Sequence, residues 1–407
     1  MTGLIETSTS PHGSLSARFA PLFAEIGATA IDRERARTLP TELVARLAQS
    51  GFTALRIPRE FGGSEIRLSE LAELLIQLAA ADSNFVQILR AHFLYTDALR
   101  QAPVSPERDE WLRRIGNGEI LGGAYTEQSA ENRTHFSTTI SPDPSGASII
   151  SGEKFYSTGS WYADWIITAG EGPDGVAQAV VARDADGVEL LDDWNGFGQR
   201  LTASGTTRFH DASTAGAPQL PPGVQPGSYG TSLAQFWHIA ALAGIAQAVH
   251  TETVDYVRSR KRYFAQGAGV VPALDPVVQS VVGELSAARY LAATITRSLA
   301  ARLDDLDVAI TTGGADEALF DEVEVEVYRA QVVVMNSVLS AAARSFDVGG
   351  ASAVDADRSW DRHWRNARTL ASHNPSPLRL VSIGDYDINA TSPFRTWLSG
   401  VDLRNRA

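Results

Sequence analysis

Three groups of residues in this chain have types and spacing suited to chemistry. The first is the stretch Ser151-Gly152-Glu153-Lys154-Phe155-Tyr156-Ser157-Thr158-Gly159-Ser160-Trp161-Tyr162-Ala163-Asp164-Trp165, dense in hydroxyls and glycine and flanked by aromatic rings. Small hydroxyls and backbone amides beside rings suit a flat ring with a polar edge, such as a flavin. The same composition also makes an ordinary hairpin. The second group is cationic: Arg258, Arg260, Lys261 and Arg262. An arginine fork matches phosphate oxygens, although cations at a helix C-terminus are favourable in any case. The third is a pair of histidines far apart in sequence, His92 and His373. Imidazole relays protons near neutral pH and can donate a hydrogen bond to a bound oxygen species. For His92, which continues the apolar face of Phe85, Ile88 and Leu89, the alternative is a satisfied core histidine. For His373, just before Pro375, it is a capping or loop role.

Other chemistries are excluded more firmly. The 407 residues contain no cysteine, which removes disulfides, thiolate metal sites and cysteine nucleophiles. The eight histidines have no metal-ligand spacing. The Gly-x-Gly-x-x-Gly run Gly170 to Gly175 sits among short β-type runs and opens no helical pattern, and no Gly-x-x-x-x-Gly-Lys, Gly-x-Ser-x-Gly or His-Glu-x-x-His occurs, so no built-in nicotinamide, P-loop, hydrolase or zincin site is visible. A net charge of −13 argues against nucleic acid or an anionic membrane as partner. No leader-like N-terminal run and no stretch of eighteen apolar residues is seen, so a cytoplasmic protein is expected.

The elements that must position these groups fall into three blocks. Met1 to Gly13 is polar and expected to be mobile. From Ser14 to about Gly118 the pattern is helical. Pro40 suits a first helical position, Ser69 can cap the next helix, and Leu71, Leu74, Leu75 and Leu78 share one face. From about Leu121 short alternating runs take over: Ala147 to Ile150, Ile166-Ile167, Ala177 to Ala182, Val188 to Leu191 and Thr206 to His210. Pro218 to Gly227 is a linker. Long helical segments follow at about 232–264, 276–303 and 316–346, then a shorter one at 359–371 and a tail. The expected architecture is α+β and multidomain: an N-terminal helical domain (1–118), a middle β-barrel or sandwich domain (119–225) and a C-terminal helical bundle (226–407).

Several motifs resemble the acyl-CoA dehydrogenase superfamily. They are Gly-x-Lys-x-aromatic-x-Thr-Gly followed by Ala-Asp, here Gly152 to Asp164; Pro58-Arg59-Glu60-Phe61-Gly62-Gly63 between two helices; and Tyr125-Thr126-Glu127-Gln128, similar to the family's flavin-edge Thr-Glu-Pro loop. Tyr256-x-x-x-Arg260, with Phe264 one residue late, is similar to its Tyr-x-x-x-Arg-x-x-Phe-Gly element, and Gly349-Gly350 and Trp360 to Thr369 also fit. The resemblance covers nearly the whole chain, and it implies the family's fold and its tetramer.

It further implies that Tyr125, Thr126, Ser157 and Thr158 line the flavin. Arg260, with Arg262 as second choice, would reach a flavin phosphate across a subunit interface, near Phe264, Gly349 and Gly350. Two departures narrow the branch. Glu131-Asn132-Arg133 stands where the family has Gly-Ser-Asp, which weakens a coenzyme A reading more than a flavin one. Both usual positions of the dehydrogenase's catalytic glutamate lack a carboxylate: one is Lys261, the other lies in Ala371-Ser372-His373-Asn374-Pro375. A Thr-Leu-x-x-His context resembles the monooxygenase branch, which includes dibenzothiophene monooxygenase and the amino-sugar nitrososynthases. That branch implies a two-component enzyme: reduced FMN (FAD being the alternative) supplied by a separate flavin reductase, O2 added at C4a as a hydroperoxide, and oxygen transfer to N, S or an aromatic carbon. Catalytic roles would fall to His373, Ser157 and His92. The rivals are an FAD-dependent acyl-CoA dehydrogenase with a displaced base and a catalytically silent homologue.

Overall fold

The computed structural model describes residues 11–128, 136–144, 146–221, 227–264 and 266–393. Ser129 to Arg133, most of the linker after Pro218, and the first ten residues lie outside them. Six helices open the chain: α1 (Pro11–Ala28), α2 (Ala30–Ala36), α3 (Thr41–Gln49), α4 (Leu68–Ile88), α5 (Arg90–Gln101) and α6 (Pro106–Gly116). Seven strands follow: β1 (Leu121–Ala124), β2 (Thr139–Pro142), β3 (Ser148–Lys154), β4 (Trp165–Gly172), β5 (Gly175–Ala182), β6 (Val188–Leu190) and β7 (Thr207–Ser213). The last block is α7 (Gly227–Ser259), α8 (Pro276–Thr311), α9 (Glu317–Arg344), α10 (Asp361–Ser372) and α11 (Ser376–Asn389).

The strands make one seven-stranded sheet. Antiparallel pairing links β2 to β3, β3 to β7 and β7 to β6. Along β4, β5 pairs antiparallel, while β1 and then β2 pair parallel. The expected middle β domain is thus one curled sheet between the helical blocks. Residues Ser151 to Lys154, read as the start of a polar loop, belong to β3.

The helical blocks before and after the sheet share one core. Phe85, Phe93, Leu233, Trp237, Leu299 and Val334 all belong to it. At its centre α7 packs on α4, α8 and α9. By length and composition α7 could cross a membrane, but nearly all of that apolar window is buried in the bundle. Polar contacts set the register between blocks. Asp304 of α8 accepts hydrogen bonds from the Leu68 and Ser69 amides, 2.7 and 3.0 Å, and so satisfies the N-terminus of α4 from outside. Glu70 accepts from the Arg67 amide, 2.9 Å. Arg67, not Ser69, therefore occupies the cap position. The tail expected after residue 371 forms α11, which packs on α9.

One joint ties all three blocks. Helix α4 is broken at Asp82 (φ −163, ψ 112). There Asp82 accepts from Arg33, 2.9 Å, and from both nitrogens of Asn84, 3.0 Å at the backbone and 2.7 Å at the side chain. The freed Ser83 and Asn84 bind the segment between β6 and β7: Gln199 donates to Ser83, 3.0 Å, and the Leu201 amide donates to Asn84, 3.2 Å. The Gln199 amide donates to Asn366 of α10, 2.6 Å. Removing one partner of a buried ion pair costs about 3–5 kcal/mol. Asp82→Ala is therefore expected to lower the thermal unfolding temperature clearly and to loosen the 199–201 segment, seen as faster amide exchange there. An unchanged melt with unchanged protection would contradict this account of the joint.

Candidate functional site

The loop Phe155 to Ser160 is clamped from three sides. The Phe155 amide donates to Thr126, 2.7 Å, the Ser157 amide to Gly205, 3.1 Å, and the Gly159 amide to Thr202, 3.2 Å. Gly159 has φ +82, and a Cβ there would lie 2.2 Å from the Ile88 carbonyl at the end of α4. Only glycine fits both the backbone and the contact. The two hydroxyls expected at a flavin edge are not equivalent. Thr158 is hydrogen-bonded to Ser204, 2.6 Å, which is joined in turn to Thr202, 2.7 Å. Ser157 is buried, yet its hydroxyl has no partner among the described residues. A buried orphan hydroxyl is uncommon in a native protein, so Ser157 is the member of the pair available to a ligand.

The neighbouring strand end is held by a buried ion pair. Lys154 Nζ lies 2.6 Å from Glu127 Oε1, and both side chains are inaccessible. Glu127 also accepts from the Ser137 amide and hydroxyl, 2.7 and 2.6 Å, and from the Thr138 amide, 3.1 Å. Burial pushes its carboxyl up, but hydrogen bonds from Lys154, Ser137 and Thr138 outweigh burial and hold it at about 2. The pair thus locks the 125–128 segment to β3. Neither residue was expected to matter. The available signal was period two: Lys154 lies four residues after buried Ile150 on the same strand face. In the same segment Thr126 is exposed. Tyr125 donates or accepts with Tyr95 and Gln178, and burial pushes its hydroxyl up to about 12. The Tyr125 hydroxyl is therefore committed within the protein.

The expected phosphate group assembles at the far end of the bundle. Helix α7 stops at Ser259, not Phe264, so Arg260 to Phe264 turn off the helix. Arg260 donates to the Val348 carbonyl, 2.8 Å, and its guanidinium lies 5.0 Å from the Phe264 ring and 5.7 Å from the Tyr256 ring. Gly350 has φ +52, and a Cβ there would sit 3.1 Å from the Phe264 ring. Gly349 abuts Tyr256, where a Cβ would be 2.8 Å from the hydroxyl. Sequence-distant Arg260, Phe264, Gly349 and Gly350 thus share one small surface, with guanidinium donors to spare. Arg262 is exposed in the same turn.

The two histidines have different fates. His92 is fully buried. Its Nε2 lies 3.0 Å from the Thr53 carbonyl and its Nδ1 accepts from the Leu121 amide, 3.2 Å. Burial lowers its pKa to about 4 against the opposing Thr53 hydrogen bond. Its Nε2 ties α5 to the turn at Thr53 and its Nδ1 ties α5 to β1, so the expected catalytic role of His92 is corrected to a structural one. His373 follows the last turn of α10, exposed, with Asn374 donating toward its Nδ1, 2.8 Å. Its ring lies 4.6 Å from that of His238, on α7. His238, which sequence reasoning missed inside the apolar run Phe236 to Ala240, is buried with neither ring nitrogen partnered among the described residues. Among the described residues no cluster suited to a metal ion occurs.

An orphan hydroxyl in a glycine loop, an arginine with spare donors beside glycines and an accessible histidine stand on a helix–sheet–helix frame. Family comparison agrees. Residues 18–119 match the model of the acyl-CoA dehydrogenase N-terminal domain and residues 236–375 that of the acyl-CoA dehydrogenase C-terminal domain; the chain belongs to the acyl-CoA dehydrogenase superfamily. Dibenzothiophene monooxygenase of Mycolicibacterium goodii is 28% identical, over 90% of this chain and 91% of that protein. The probable FMNH2-dependent monooxygenase SfnC of Pseudomonas putida is 25% identical, over 98% of this chain and all of its own length. The crystal structure of FMN-bound TdsC from Paenibacillus sp. A11-2 superposes with a TM-score of 0.85 at 25% identity, covering 93% of this chain and 98% of that one.

The Glu127–Lys154 pair makes a pH-dependent contribution of known sign. A carboxyl lowered from its ordinary 4.5 to about 2 stabilises the fold above pH 4.5 and loses that contribution as pH falls toward 2. Glu127→Gln is expected to cost about 3–5 kcal/mol at pH 7, because Lys154 is left buried without its counter-charge. The stability gap between wild type and variant should narrow as pH falls below 4.5. A gap that stays constant across that range would show that Glu127 is not ionised in the folded protein.

Proposed function

We propose that this chain is the oxygenase of a two-component, reduced-flavin-dependent monooxygenase, with FMN as cofactor and a separate flavin reductase as partner. The class, a flavin-dependent monooxygenase using FMN, is that of its full-length relatives. One observation in this chain carries the reading. The accessible acid–base group at the α10–α11 junction is His373, and no carboxylate stands at either position where a dehydrogenase of this superfamily would keep its base.

The residues fit the cofactor. Ser157 offers a buried hydroxyl unpartnered among the described residues to the polar edge of a flat ring, with Thr158 beside it and Thr126 bridged to Phe155 of the same loop. Arg260 offers unused guanidinium donors to a phosphate, with Gly349 and Gly350 permitting close approach. Bound reduced FMN supplies oxygen activation, so that one atom of O2 reaches N, S or an aromatic carbon of a small substrate and the other leaves as water. The chain's own task is to keep water out and manage protons. The apolar packing around α4, α5 and α7 excludes bulk water, and His373 holds or delivers a proton at the ring nitrogen not turned toward Asn374. The exposed apolar side chains Val277, Tyr290 and Val308 on α8, and Leu378, Val381 and Ile388 on α11, support assembly into a tetramer in which Arg260 serves a neighbouring subunit's cofactor. The cytoplasm is the compartment proposed.

Three outcomes test the reading. NADH alone should leave FMN bound to this protein oxidised, and stopped-flow bleaching without a reductase would refute the two-component scheme. Arg260→Ala should weaken FMN binding by about 1.5–3 kcal/mol, the value of a charge-assisted contact, measured by fluorescence titration. His373→Ala should remain folded and bind FMN, yet lose product about a hundredfold or more and release hydrogen peroxide instead. Unchanged product yield in that variant would remove His373 from the chemistry.

A further inference from the structure

The bundle interior next to His373 is built for a charged guest. His238 is 1% exposed, and both its ring nitrogens lack partners among the described residues. From α11, Arg379 is 7% exposed; its guanidinium lies 3.8 Å from the Tyr328 ring and its Nε is unpartnered. From α9, Gln331 is fully buried; its Nε2 donates to Gln235, 3.1 Å, while its Oε1 is left over. Polar atoms this deep are almost always hydrogen-bonded in native proteins. Orphans on α7, α9 and α11 gather next to exposed His373, and Gln235, which joins Gln331, also accepts from Asn374, 2.7 Å; they point to a binding site.

The charge of that lining selects the guest. Every charged group that reaches His238 is a cation or a potential one: Arg90, His373 and Arg379. Arg90 spends one hydrogen bond on the Ala234 carbonyl, 3.2 Å, and forms no ion pair among the described residues. The carboxylate in the neighbourhood, Glu324, accepts from Tyr328 and Thr231 through Oε1, 2.6 and 3.3 Å, while its Oε2 is unpartnered among the described residues and it feels the charge of Arg379. Burial and the nearby cations hold His238 well below its ordinary range. It is therefore neutral at pH 7, with one N–H to donate. Two arginines and one imidazole donor, against the single carboxylate of Glu324, leave an excess of donors and of positive charge.

We propose that this group of side chains forms the specificity end of the substrate site and binds an oxyanion, a carboxylate or sulfonate-type group on the organic substrate, through Arg379 and His238, with Arg90 supplying long-range attraction. The proposal rests on the site assigned above and names its substrate class: an acidic molecule whose oxidisable atom lies toward His373, in contrast to an uncharged polycyclic sulfide. Ser157 and Arg260 take no part, so the flavin and the substrate acid do not compete for the same cations.

Calorimetric titration of the full-length protein, with and without saturating FMN, tests this directly. The probes are acetate, benzoate and sulfate against neutral benzamide, in chloride buffer of equal ionic strength. At least one oxyanion is expected to bind saturably, at least tenfold more tightly than benzamide, with affinity kept when FMN is bound. Arg379→Gln and His238→Gln, each checked for an unchanged melt and unchanged FMN affinity, should each lose about tenfold. Should either variant fail to fold, Arg90→Gln provides the second arm, with a smaller loss that shrinks as salt rises. Absence of saturable binding by all three oxyanions overturns the proposal, as does binding that FMN displaces or that Arg379→Gln leaves intact. Neither result touches the monooxygenase reading, because no step of the assay uses reduced flavin or oxygen.

Discussion

Helix α4 is interrupted at Asp82, and the arrangement of the three blocks depends on that interruption. A continuous helix would spend the Ser83 and Asn84 backbone on itself. Because Asp82 leaves helical geometry, Arg33 and Asn84 gather on its carboxylate, and the side chains of Ser83 and Asn84 become available to the segment between β6 and β7. Gln199, itself at φ +51, then reaches Asn366 on α10. From this joint the sheet, the N-terminal helices and the bundle acquire fixed relative positions. The Ser157 loop inherits its place from them, since Gly159 sits against Ile88 on the same helix.

Much of this was legible beforehand, for identifiable reasons. Long amphipathic repeats announce helices, and the order of helical, alternating and helical composition announced the architecture. The gathering of Arg260, Phe264 and the Gly349-Gly350 pair was legible because they belong to spaced motifs whose residue types are chemically demanding. Ser157 was legible as part of a dense hydroxyl loop, but its separation from Thr158 was not, because that depends on Ser204 arriving from another strand connection. His92 misled because an apolar stripe looks the same whether its histidine faces a ligand or a backbone carbonyl. His238 was invisible for the opposite reason: amid Phe236, Trp237 and Ile239 it reads as one more core position. Helix α11 was missed because Pro375 and Pro377 suggest a break, whereas proline at a first turn is where a helix tolerates it.

Two kinds of buried polarity coexist in the molecule. Glu127–Lys154 and the Arg56–Asp97–Asp307 network have their main charges met within the protein, at 2.6 Å for the first and 3.0 and 3.3 Å for the second. Such groups specify geometry and are inert to ligands. The polar atoms around His238 are left unmet by the chain itself.

The packing of α4 against α7 also governs the order in which the chain can be completed during synthesis. The apolar face of α4 emerges from the ribosome long before the helix that covers it, because the whole sheet is encoded between them. The sheet has local pairings and can close early, whereas the opening helices wait with uncovered leucines until α7, and after it α8 and α9, are made. That interval is when the nascent chain is most exposed to self-association and most dependent on chaperones. A codon change that slows translation within the β segment would lengthen it without altering a single residue.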